Sequence, residues 1–311
     1  MRFAVMIEGQ EDVAWKDWVG VAEACERLGF EALFRSDHYA SVVGVGARGS
    51  LDAWGTLCGL AAVTSTLRLG TLVSPATFRH PSVLAKCAVT ADHISGGRLE
   101  LGIGTGWLEA EHLAYGFPFP SIGTRMGRLA EQLAIIEGSF ADGPFSFVGQ
   151  HWSVEELDAL PKPLQRPLPL LMGGSAMPRG AALAARFAHE YNVVHLSPDD
   201  AAASRERLRA ACDDAGRDPA TLRFSLMQAF LIGADEADLR ARAARLADWQ
   251  GGSVDLDELR AEWIAGTPDE VVARLREYEA AGVERVMLQH HLHRDAEALE
   301  LLAAAVLPAF A

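Results

Sequence analysis

The chain has 311 residues, 50% of them hydrophobic, and a formal net charge of −14. That length admits one large α/β barrel or two modest domains. The acidic balance argues against broad binding to nucleic acid or to anionic membrane, which needs clustered basic residues, but leaves room for an anionic cofactor held by backbone N–H groups.

The first predicted strand is the short apolar run Phe3 to Ile7. A helix over Ala14 to Leu28 carries Val19, Ala22, Cys25 and Leu28 at helical spacing and stops at Gly29. The alternation then continues: strand Ala32 to Arg35, helix Asp52 to Ser65, strand Leu67 to Val73, helix Pro81 to Ile94, strand Arg98 to Ile103 and helix Arg125 to Phe140. Leu168 to Met172, Asn192 to Leu196, Phe224 to Ile232 and Arg285 to Gln289 read as strands. The helices among and after them are Arg179 to His189, Pro198 to Ala215, Glu236 to Trp249, Pro268 to Ala281 and Ala296 to Val306.

Eight short strands, apolar throughout, fit a parallel sheet buried on both faces, and their alternation with helices predicts a (β/α)8 TIM barrel. A doubly wound open sheet is the alternative. The strand count and the lack of a first-turn G-x-G-x-x-G weigh against it. Segments 107–124, 142–168 and 250–267 break the rhythm and are expected to be insertions in the βα loops of one barrel domain, with a hairpin near Phe145 to Trp152. The stretch Met1 to Glu8 is too short an apolar run for a signal peptide, and no apolar run is long enough to span a bilayer. Together with Cys25, Cys58, Cys87 and Cys212, which form no C-x-x-C pair, this predicts a cytoplasmic protein with free thiols.

In such a barrel the active site lies where strands end. Ser36-Asp37-His38 follows the second strand and puts an imidazole at the mouth, where it can exchange a proton near neutral pH. Gly102-Ile103-Gly104-Thr105-Gly106-Trp107 is a strand end whose glycines allow close approach to a flat ring or a phosphate. Leu170-Leu171-Met172-Gly173-Gly174-Ser175 runs from a strand into a helix start, the geometry of a phosphate site. A loop-bonding histidine and ordinary turn glycines would leave the same short strings, so each is weak by itself. Gln289-His290-His291-Leu292-His293 invites a metal reading, but the first strand ends Met6-Ile7-Glu8 without a His-x-His, so no metal is expected and these histidines read as a polar rim or substrate contact.

Two long stretches resemble the luciferase-like monooxygenase superfamily. One runs from Arg68-Leu69-Gly70-Thr71-Leu72-Val73 through Arg79-His80-Pro81 to Asp92-His93-Ile94-Ser95-Gly96-Gly97-Arg98 and on to Trp107. The other runs from Pro161-Lys162-Pro163 through Gly173-Gly174 to Ala184-Ala185-Arg186-Phe187-Ala188. Gly266-Thr267-Pro268 and Gly282-Val283-Glu284-Arg285-Val286 extend the likeness along nearly the whole chain. Ser36-Asp37-His38 and Thr77-Phe78-Arg79 resemble the branch that uses the deazaflavin coenzyme F420.

The resemblance implies that His38 faces the redox carbon and that Asp37 contacts the cofactor. It implies a non-proline cis peptide at Leu72-Val73 behind the ring, Thr105 and Gly106 beside it, and Gly173, Gly174 and Ser175 at its phosphate. The branch's sugar-phosphate dehydrogenases carry a Glu directly after the Gly-Thr-Gly turn. Here that place is Trp107, and Glu109 stands two residues on. An aromatic pocket of Trp107, Tyr115, Phe117 and Phe119 fits a less polar small-molecule substrate. The implied activity is hydride transfer from reduced F420 to a C=C or C=N bond, the alternative being an FMN-dependent monooxygenase on the same barrel. Relatives often pair through barrel helices, which implies a homodimer by analogy.

Overall fold

The structure is a computed structural model and describes residues 1–43, 46 and 48–310. Eight strands form its centre: β1 (Arg2–Ile7), β2 (Ala32–Arg35), β3 (Arg68–Thr71), β4 (Leu99–Gly104), β5 (Leu170–Gly173), β6 (Glu190–Val194), β7 (Arg223–Ile232) and β8 (Arg285–Gln289). Each pairs in parallel with the next, and β8 pairs with β1 with Arg2 opposite Arg285 and Met6 opposite Gln289, so the sheet closes on itself. Closure removes every free edge. Both faces are covered, which is why the strands read as continuous apolar runs.

Inside the ring, side chains stack in layers drawn from alternate strands. Ala4, Met6, Ala32, Phe34, Leu72, Leu171, Met227 and Met287 form an inner apolar cluster. Toward the amino-terminal end the filling is ionic. Arg285 Nη2 donates to Glu100 at 2.6 Å and to Glu190 at 2.7 Å, and its guanidinium lies 5.0 Å from the Phe34 ring centroid. These four residues come from β2, β4, β6 and β8, strands that are not neighbours, so they meet only across the lumen. The guanidinium is fully buried. Burial opposes ionisation of Glu100, but Arg285 and Arg68 outweigh it and hold that carboxyl down to about 2.

The helices follow the expected order with ends shifted by a few residues. The helix expected from Arg125 begins at Ile122, where the Ser121 hydroxyl accepts the Thr124 N–H, and runs to Phe140. Segment 107–124 contains a further helix, Glu109–Tyr115, closed by Gly116 in the left-handed region (φ +74°). Segment 142–168 holds the antiparallel hairpin Phe145–Val148 with Ser153–Leu157, and cis peptides precede Pro161 and Pro167. It joins a helix to β5, so it lies at the amino-terminal end of the barrel rather than in a βα loop. Segment 250–267 contains helix Leu256–Glu262 and strand Ile264–Gly266, which pairs with the end of β7. No helix among the described residues is long and apolar enough to cross a membrane.

Candidate active site

A cavity of about 610 Å³ opens at the carboxyl ends of the strands. Every strand contributes to its wall: Glu8 and Gln10 after β1, Ser36 and His38 after β2, Leu72 and Val73 after β3, Gly104 to Trp107 at β4, Gly173 and Gly174 at β5, Asn192 and Val194 with His195 at β6, Met227 from β7, and Gln289 with His291 at β8. The strand-end rule therefore locates the site, and it would also have singled out Glu8, Asn192 and His195.

His38 is the titratable centre of one wall. Its Nδ1 lies 2.9 Å from Glu111 Oε2, and its ring meets Trp107 edge-on with centroids 5.7 Å apart. Glu111 is fully buried and also accepts the N–H groups of Tyr39 and Ala40. Burial disfavours a charged His38, yet the hydrogen bond and charge of Glu111 outweigh it and raise the imidazole pKa above its ordinary value. The same pairing holds the Glu111 carboxyl below its ordinary range against the pull of burial. A carboxylate behind one ring nitrogen fixes ring orientation and leaves Nε2 as the atom able to give a proton.

Glu111 escaped the sequence reading, which considered Glu109 instead. The two sit on opposite sides of helix Glu109–Tyr115, because residues two apart do not share a face. Glu109 is exposed and Glu111 is buried. His112 anchors the helix: its ring nitrogens lie 2.7 Å from Thr77 Oγ1 and 2.7 Å from the Leu108 carbonyl.

The bed opposite is flat and glycine-lined. The Leu72–Val73 peptide is cis. A Cβ on Gly104 would stand 2.7 Å from Val73 Cγ2, and one on Gly173 would stand 3.1 Å from Val73 Cγ1. These glycines thus make room for the Val73 side chain, rather than only for a ligand. Three polar atoms on the cavity wall are buried without a hydrogen-bond partner: Asn192 Oδ1, Gln289 Oε1 and His291 Nδ1. Buried groups of this kind are costly unless something in the cavity satisfies them. A planar ring with an N–H edge, lying over the cis Leu72–Val73 peptide, fits the orphaned amide oxygens.

At the expected phosphate end two backbone donors are already in use. The Gly174 N–H donates to the Asn192 carbonyl at 3.1 Å and the Ala176 N–H to Tyr191 Oη at 3.0 Å, so neither is free. Ser175 is exposed just beyond the wall. Helix Pro178–Phe187 starts at Met177 with no side-chain cap, and its first N–H groups, with the exposed Ser175, remain for an anion.

Asp37 does not line the cavity. It is buried, takes Arg79 through both oxygens (2.5 and 3.1 Å) and accepts Ser74 Oγ at 2.6 Å, tying the tip of β2 to that of β3. Tyr115 and Phe117 do not line it either. They stack with Tyr39 and Phe78 in a layer beneath the rim, at centroid distances of 4.9 to 6.3 Å. Phe119 packs on His112 at 4.8 Å and under Arg125. Of the expected aromatic pocket only Trp107 reaches the cavity, joined by Trp263, which the sequence had left in an insertion.

His290 is buried against Phe230, and burial pushes it down to about 4. His291 lies between Trp249 and Trp263 and is likewise pushed down by burial. His293 faces Asp17 at 3.9 Å. No group of three or more His, Cys, Asp or Glu among the described residues is arranged to hold a metal ion.

Comparison with known proteins places this geometry. Pyrimidine monooxygenase RutA of Stutzerimonas stutzeri (strain A1501) is 32% identical over 222 residues, covering 69% of this chain and 58% of that protein. An F420-dependent glucose-6-phosphate dehydrogenase of Microbacterium testaceum (strain StLB037) is 33% identical over 190 residues, 61% of this chain and 55% of that one. The chain thus spans little more than half the length of these curated relatives. The structure of a coenzyme F420 dependent tetrahydromethanopterin reductase from Methanopyrus kandleri superposes with a TM-score of 0.84 over 100% of this chain and 99% of that chain, at 23% identity, a likeness of fold. The family model described as luciferase-like monooxygenase matches residues 1–285, and the chain belongs to that family.

Proposed function

We propose that this chain is an oxidoreductase that seats coenzyme F420 across the strand tips and transfers hydride between it and a small organic substrate, reducing a C=C or C=N bond. When bound, the deazaflavin supplies a two-electron hydride donor or acceptor. The Val73 side chain between Gly104 and Gly173 would back its ring, Asn192 Oδ1 would accept a ring N–H, and the start of helix Pro178–Phe187 would face its phosphate. His38, whose pKa Glu111 raises, would supply the proton that accompanies hydride. Trp107 meets the imidazole edge-on at the mouth of the cavity.

The His38–Glu111 pair on the cavity wall carries this reading, because an acid backed by a buried carboxylate suits hydride transfer coupled to a proton. A second reading keeps the same bed for reduced FMN and oxygen, as a monooxygenase. The likeness to the pyrimidine monooxygenases favours it. Titrating the cofactor-free protein with F420 and with FMN, by absorbance and calorimetry, separates the two. Tight binding of F420 and weak binding of FMN is expected, and the reverse order moves the assignment to the monooxygenase.

A further inference from the structure

The cavity wall contains two carboxylates, Glu8 and Glu11, and no lysine or arginine among its described residues. Glu11 is neutralised by Arg48, 2.9 Å away, and also accepts Ser41 Oγ and the Val42 N–H. Glu8 has no such partner. Its oxygens accept only from amides, Oε1 from Gln289 Nε2 at 2.6 Å and Oε2 from Gln10 Nε2 at 2.8 Å, and it makes no ion pair among the described residues. The direct partner of His38 is Glu111; Glu8 acts on that ring only through charge, with no hydrogen bond or ion pair between them.

A second observation points to the same place. Gln289 is 4% exposed and spends its Nε2 on Glu8, leaving Oε1 buried with no partner. A carboxylate without an ion pair and an amide oxygen without a donor therefore sit side by side on the wall. Beside them Trp263 and His291 stack with centroids 5.2 Å apart, and an indole face attracts a desolvated cation. Burial keeps His291 neutral at physiological pH, so it does not repel one.

We propose that the substrate carries a protonated amine, separate from the bond that is reduced, whose N–H groups donate to Glu8 and to Gln289 Oε1 on the wall that Trp263 also lines. This rests on the oxidoreductase reading for the reaction it enters, though not for its binding. Anionic substrates, sugar phosphates among them, would meet the Glu8 carboxylate and no lysine or arginine.

The test uses three probes of nearly equal shape: benzylammonium, benzyl alcohol and benzoate, titrated into the full chain by calorimetry without cofactor. Benzylammonium should bind at least about tenfold more tightly than the alcohol, about 1.4 kcal/mol, and benzoate more weakly than either. Glu8→Gln should bring the ammonium and alcohol affinities together. An alcohol or benzoate that matches the ammonium, an ammonium that does not bind, or a ranking unchanged in Glu8→Gln overturns the proposal. If that variant does not fold, the ranking on the unaltered chain decides. A chain that ranks the probes as expected but takes neither F420 nor FMN sinks the functional reading alone. One that takes F420 yet ranks them equally sinks this proposal alone.

Discussion

Glu111→Gln keeps the volume of the side chain and one oxygen to accept the Tyr39 and Ala40 N–H groups, but removes the charge 2.9 Å from His38 Nδ1. The imidazole is then left with burial, which disfavours its charged form, and without the carboxylate that outweighs it. A hydrogen bond between charged groups contributes about 1.5–3 kcal/mol, so the proton-donating step should slow by about 10- to 150-fold above neutral pH. The alkaline limb of the rate profile should move to lower pH, with much of the loss recovered in acid. Single-turnover oxidation of reduced F420 across a pH series reads this directly. A uniform loss at every pH, or an unmoved limb, would refute the role given to Glu111.

Stability gives a second readout of the same pair. The raised His38 pKa contributes stability below its ordinary value of 6.5 that is lost as pH rises through the folded value. The lowered Glu111 pKa contributes above its ordinary 4.5 and is lost as pH falls through its own folded value. The gap in denaturant midpoint between parent and variant should therefore be widest from about pH 4.5 to 6.5 and narrow on either side.

Other substitutions probe the remaining parts. Gly104→Ala places a Cβ 2.7 Å from Val73 Cγ2; it should cost about 1–3 kcal/mol by overpacking and weaken cofactor binding in a fluorescence titration, and retained affinity would separate Val73 from the ring site. Arg285→Met leaves Glu100 and Glu190 buried without their shared cation, and should lower stability by about 3–5 kcal/mol in urea unfolding. Ser175→Asp sets a negative charge beside the uncapped start of helix Pro178–Phe187 and should weaken F420 binding with little change in melting temperature; unchanged binding would place the phosphate elsewhere.

The barrel was legible because its signals are long and local. Strands buried on both faces are continuous apolar runs, and helices such as Trp15–Leu28 end at glycines such as Gly29 with φ +78°. The site was legible only as far as strand ends go. His38, Leu72, Val73, Thr105, Gly106, Gly173 and Gly174 fall on the cavity wall because the fold puts every strand tip there. What escaped depends on contacts far apart in the chain. Helix Glu109–Tyr115 has 7 residues, too few turns for a periodic signal, so Glu111 could not be matched to His38. Asp37 stands beside His38 in sequence but points the other way, because neighbours on an extended segment alternate sides. Tyr115 and Phe117 were read as pocket from composition, and composition does not say which way a ring faces.

The Glu100–Arg285–Glu190 layer blocks the lower end of the lumen, which makes the barrel a blind-ended vessel with one opening. Whatever reacts inside must enter and leave past the same rim, so the sequence of arrivals is set by depth. A coenzyme seated on Leu72–Val73 beneath a smaller reactant would have to load before it and depart after the product. On that arrangement the shape of the vessel alone would order the kinetics, with no moving part required.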